Sequence, residues 1–195
     1  MPELNQINDS WTLFLDRDGV INHEKENDYI RNWDEFIFYD DSIAAVALLK
    51  KCFSHIFVTT NQKGIGKQLM SVEDLDHIHR NMNIQIEKAG GKIDHIYFCP
   101  DLDDNSPNRK PQPGMAFQAK NDYPQIDLAK SIMVGNRMSD MKFGRNAGMI
   151  TVFLATTHPE TPFPDPHIDF RFNSLFRFAQ ACIDAKKHNL DQLSQ

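Results

Sequence analysis

The chain has 195 residues, 41% of them hydrophobic, a length that suits one domain burying a single core, and residues 1–195 read as one unit. A formal net charge of −6 disfavours nucleic acid or an anionic membrane surface as partner, because both select a clustered excess of Lys and Arg. Cys52, Cys99 and Cys182 form no CxxC pair, the amino terminus MPELNQINDSW lacks the regions of a signal peptide, and no run approaches a membrane span; a reduced, cytoplasmic protein is expected.

The first element is the run Thr12–Leu15, short, apolar and bounded by turn residues, which reads as a buried strand. Directly after it comes DRDG, placing Asp16 and Asp18 at the strand end. Asp41 or Ser42 is positioned to cap a helix carrying Ile43, Val46 and Leu49, and Ile56–Thr59 reads as the second strand. After it, TTNQKGIGK offers hydroxyls at Thr59 and Thr60, and glycines that let backbone approach an anion.

Ser71 and Asp74 approximate a capping box, with Leu75, Ile78, Met82 and Ile86 at helical spacing behind it. His77 and His79, two apart on that helix, share no face and read as surface or boundary residues. A third strand, Ile96–Phe98, leads through an acidic stretch, Asp101, Asp103 and Asp104, that reads as a solvated loop. It ends at NRKPQPGM, where Arg109 and Lys110 precede a proline and should lie in extended chain. Strands Ile132–Val134 and Ile150–Leu154 flank a short helix near 139–147, with Asn136 and Asp140 at its start. The Pro-rich segment 158–167 is a surface connection before a strand at Asp169–Phe172, and a last helix passes through Leu175, Phe178 and Cys182 before a polar end expected to fray.

Strands alternating with helices imply an α/β fold with a mostly parallel sheet covered on both faces. Ligands in such sheets bind beyond the carboxyl ends of the strands, where Asp16 and Asp18 fall. Taken in order, D-x-D-G, a Thr, a Lys and a G-N-x-x-x-D resemble the phosphatase motifs of the haloacid dehalogenase (HAD) superfamily. LDRDGVIN, VTTNQKGIG, IDHIYFCP, RKPQPGM and MVGNRMSDM further resemble its histidinol-phosphatase and heptose-bisphosphate-phosphatase branch, over roughly residues 11–185.

The resemblance implies a Rossmann-like HAD core without a large cap domain, and hydrolysis of a small sugar-phosphate monoester through an aspartyl-phosphate, with a D-glycero-D-manno-heptose 1,7-bisphosphate as first candidate. Histidinol phosphate and other sugar or nucleotide phosphates are alternatives, as is a phosphate-binding protein of weakened turnover. Asp16 would be the nucleophile and Asp18 the acid and base, with Thr60 and Lys110 stabilising the transferring phosphoryl group. Mg²⁺ would be held by Asp16, the main-chain carbonyl of Asp18 and Asn136, with Asp140 behind Lys110 or a water. Asn22, Asn61, Arg109 and Arg137 would contact substrate, the arginines being candidates for a second phosphate, and Tyr29 would face the leaving group.

Two departures stand out. Position 136 is Asn where the motif has Asp, so the amide could ligate Mg²⁺ but without charge. The loop after Phe98 offers Cys99 and no His, too few ligands for the zinc site of many relatives, so no structural zinc is expected. A monomer acting on a small molecule is the expectation.

Overall fold

Thr12–Leu15 (β1) is buried at all four positions, which a strand achieves only when both faces of its sheet are covered. The computed structural model describes residues 4–193. After β1 come strands His55–Asn61 (β2), His95–Cys99 (β3), Ser131–Gly135 (β4), Ile150–Leu154 (β5) and Phe170–Phe172 (β6). They form one six-stranded sheet of order β3-β2-β1-β4-β5-β6, parallel throughout. Among the described residues the six α-helices are Ser42–Leu49 (α1), Lys63–Gly66 (α2), Val72–Lys88 (α3), Gly114–Asp122 (α4), Met138–Asn146 (α5) and Leu175–Leu193 (α6).

Alternation along the strands divides the core in two. Leu13, Leu15, Ile56, Val58, Ile132 and Val134 pack with Leu49 of α1, Leu75 and Ile78 of α3 and Phe178 of α6. Phe14, Phe57, Tyr97 and Met133 point the other way, onto Met115 and Ala119 of α4 and Phe143 of α5. This is the Rossmann-like α/β arrangement expected, and among the described residues no large cap interrupts it. Among the described residues no helix is long and apolar enough to cross a membrane.

The capping box of α3 is present: the Asp74 N–H donates to Ser71 Oγ at 3.1 Å and the Ser71 N–H to Asp74 Oδ2 at 2.9 Å. Elsewhere the structure differs from expectation. The stretch after β2 is the short helix α2 instead of an anion-binding turn. A Cβ on Gly66 would lie 2.3 Å from the Pro100 carbonyl oxygen, so this glycine serves close packing of α2 on the loop after β3. The segment around Arg109 and Lys110 is a succession of turns, with Arg109 N–H donating to Ser106 O and Gln112 N–H to Arg109 O. The polar end expected to fray is helical to Leu193; residues 194–195 lie outside the described region.

Candidate active site

Asp16 leaves β1 with its backbone still in the sheet, since its N–H donates to Val134 O at 2.9 Å. Its Oδ1 accepts from the Arg17 N–H at 2.7 Å and lies 2.9 Å from Lys110 Nζ. The same ammonium stands 2.7 Å from Asp140 Oδ1. Burial pushes the Asp16 carboxyl up to about 7; Lys110 opposes this, while Asp140 and Asp18 add to it. Lys110 is buried too, which works against its charge, but the carboxylates of Asp140 and Asp16 hold its proton above the ordinary lysine range.

Asp140 is fixed at the start of α5, where its Oδ2 accepts from the Arg137 N–H at 3.0 Å. A carboxylate there also suits the positive end of the helix. Asn61, at the end of β2, holds Lys110 from the other side. Its amide donates to Lys110 O and accepts from Lys110 N–H, both at 3.1 Å. Expected to touch substrate, Asn61 has both amide groups engaged with the backbone of the lysine.

Asp18 is surrounded by donors. Arg17 reaches its Oδ1 at 2.8 Å and its Oδ2 at 3.0 Å through Nη2, Asn22 donates to Oδ1 at 2.9 Å, and Gln62 donates to Oδ2 at 3.0 Å. Burial opposes ionisation here, yet Arg17, Asn22 and Gln62 together lower the Asp18 carboxyl below its usual range. Asn22, another expected substrate contact, is fully buried and serves Asp18 and the His23 carbonyl. Gln62 was not anticipated; it also donates to Thr60 Oγ1 at 2.9 Å, tying the hydroxyl to Asp18.

Asn136 follows β4 and is fully buried. Its Nδ2 donates to Thr157 Oγ1 at 3.0 Å, while its Oδ1 has no hydrogen-bond partner. The amide fills the space beside Gly19, where a Cβ would lie 2.0 Å from Nδ2; Gly19 also has φ +85°. Both demands select glycine at the turn after Asp18.

A buried, unpartnered carbonyl oxygen and an aspartate suit a hard divalent cation. Among the described residues no three His, Cys, Asp or Glu side chains gather to hold a metal ion. A cation here would therefore depend on amide or main-chain oxygens beside Asp16.

Asp16, Asp18, Thr60, Lys110 and Asp140 line one cleft of about 670 Å³, with Asn61, Arg109 and Arg137; Asn22 and Asn136 lie outside its walls. Lys25, Lys63, Lys67 and Tyr29 also face it. The arginines are engaged: Arg137 is paired through both nitrogens of its fork with Glu24 at 3.0–3.3 Å, and Arg109 Nε donates to Asp104 Oδ1 at 2.9 Å. Asp104 also pairs with Lys63 at 2.7 Å, so the acidic stretch helps build the rim and is more than hydrated loop. His77 is exposed, but His79 is buried against Arg17, against the surface or boundary placement expected.

Residues 107–161 match the family profile described as HAD-hydrolase-like. Over 177 residues the chain is 35% identical to the D-glycero-alpha-D-manno-heptose-1,7-bisphosphate 7-phosphatase of Mycobacterium tuberculosis, covering 90% of this chain and 93% of that protein. Over 184 residues it is 35% identical to the D-glycero-beta-D-manno-heptose-1,7-bisphosphate 7-phosphatase of Escherichia coli K12, covering 90% and 95%. The crystal structure of D,D-heptose 1,7-bisphosphate phosphatase from B. bronchiseptica, complexed with magnesium and phosphate, superimposes with a TM-score of 0.81 at 27% identity, over 89% of this chain and 98% of that one.

Proposed function

The chain belongs to the heptose-bisphosphate phosphatase family of HAD-like hydrolases, and from that premise we propose that it hydrolyses a phosphomonoester of a heptose 1,7-bisphosphate through a phosphorylated Asp16. The observation that carries the reading is the buried Asp16–Lys110–Asp140 contact at the end of the central strand, opening on the cleft.

In the first step an Asp16 carboxylate oxygen attacks phosphorus as the bond to the sugar oxygen breaks, and that oxygen takes a proton from Asp18. In the second, water attacks the phosphorus of the acyl phosphate and yields its proton to Asp18. The bond to Asp16 then breaks and inorganic phosphate leaves. Asp18 is ionised in the ligand-free protein, the form that accepts a proton; its acid role requires proton uptake as the substrate dianion enters. Lys110, in contact with Asp16, and the Thr60 hydroxyl, on the same cleft, would offset the charge on the phosphoryl oxygens. Mg²⁺, held by Asp16, the Asp18 main-chain carbonyl and Asn136, would supply further charge neutralisation on those oxygens. Lys63 and Arg109, bridged by Asp104 at the rim, would bind a second phosphate.

Phosphate release from a panel of heptose bisphosphates, hexose phosphates and histidinol phosphate, with and without Mg²⁺, tests the reading. Mg²⁺-dependent release with the highest kcat/KM on a heptose bisphosphate is expected. No release at any Mg²⁺ concentration would reject it.

A further inference from the structure

Arg17 is fully buried among Asp18, His79 and Phe36. Its Nε and Nη2 donate to Asp18, its Nη1 lies 3.2 Å from His79 Nε2, and its guanidinium carbon sits 5.8 Å from the Phe36 ring centroid. Such a burial costs several kcal/mol unless the donors find partners. Arginine can only donate, so His79 Nε2 must be an acceptor and the ring proton must be on Nδ1. His79 is itself only 7% exposed, on the inward face of α3.

We propose that His79 is a positioning residue for the phosphatase reaction: by accepting from Arg17 Nη1 it aims the arginine fork at Asp18 and so holds that carboxyl where it meets the leaving-group oxygen. The inference rests on the reading of Asp18 as the acid and base. A bidentate pair transmits orientation in a way a point charge cannot, because both N–H directions are fixed by one plane. His79 fixes a third N–H of the same plane. With that anchor gone, the fork can rotate about its stem, and the two contacts to Asp18 loosen together.

The role shows itself in leaving-group dependence. Expulsion of a sugar alkoxide needs a proton, whereas expulsion of para-nitrophenolate does not, and kcat/KM reports the first phosphoryl transfer, where that proton is used. His79→Leu should lower kcat/KM on a heptose 1,7-bisphosphate by about 10²-fold, while kcat/KM on para-nitrophenyl phosphate stays within about threefold. His79→Gln, whose Oε1 can accept from Arg17, should restore most of the loss. Should His79→Leu fail to fold, Arg17→Lys serves, since its point charge cannot span Asp18 and His79, and the same selective loss is expected.

Equal loss on both substrates, or no loss on either, would overturn the positioning role while leaving the phosphatase reading intact. No phosphate release by the wild-type protein from a heptose 1,7-bisphosphate, from the rest of the panel or from para-nitrophenyl phosphate would overturn the phosphatase reading and this inference with it.

Discussion

Lys110 Nζ is shared between two carboxylates, 2.9 Å from Asp16 and 2.7 Å from Asp140, with its own side chain only 2% exposed. The arrangement places one buried cation against two buried anions. Removing the cation leaves net negative charge where a phosphate dianion must enter. Lys110→Met should therefore lower kcat by on the order of 10²–10³-fold, measured by phosphate release at saturating Mg²⁺. Asp140→Asn, which keeps the Asp16 contact, should cost less. Equal activity of Lys110→Met and wild type would remove the lysine from the reaction.

His79 and Asp16 give pH-dependent stability of opposite sign. Burial, and then Arg17, pushes His79 down to about 3 from an ordinary 6.5. The folded chain thus binds fewer protons than the unfolded chain in that window; its contribution is full above 6.5 and is lost as pH falls toward 3. Asp16, raised from 3.8 to about 7, contributes stability fully below 3.8 that is lost as pH rises through 7. Urea titrations of His79→Gln against wild type isolate the first effect. The variant should lose less stability on acidification, and parallel curves would contradict the buried neutral imidazole.

Gly19 stands in the left-handed region at φ +85° with the Asn136 amide where its Cβ would be. Gly19→Ala should both strain the turn, by about 1–3 kcal/mol, and displace Asn136. The expected result is a lower melting temperature with weakened Mg²⁺ binding by calorimetry. Unchanged Mg²⁺ affinity would separate Asn136 from the cation.

Asn136→Asp restores a charge to a position now filled by a neutral amide. Mg²⁺ affinity should rise by about tenfold, as expected when a neutral oxygen ligand becomes a carboxylate. In both proteins affinity should climb as pH rises through about 7, where Asp16 ionises. An Asn136→Asp variant that gains turnover as well would locate a catalytic weakness at this residue, and one with unchanged Mg²⁺ affinity would contradict the ligand assignment.

What the sequence disclosed follows the range over which each signal acts. The strand before Asp16 and the capping box at Ser71 and Asp74 are local patterns, legible within a few residues. Helix α4 was not, since Pro113 at its start makes no side-chain cap and its apolar residues mark no strong stripe. Asn22, Asn61 and Gln62 carry amides that could serve substrate or scaffold. Only convergence of β1, β2 and the Lys110 turns decides in favour of the scaffold. His79 could have been found: it lies four residues after Leu75 and three before Met82, on the buried stripe of α3.

The central claim is that Asp16 becomes phosphorylated, and acid-quenched protein analysed by mass spectrometry during turnover tests it most directly. One phosphoryl group on the peptide containing Asp16, absent from Asp16→Asn and dependent on Mg²⁺, is the expected result. Sustained phosphate release with no phosphoryl group on that peptide, or with undiminished turnover in Asp16→Asn, would contradict it.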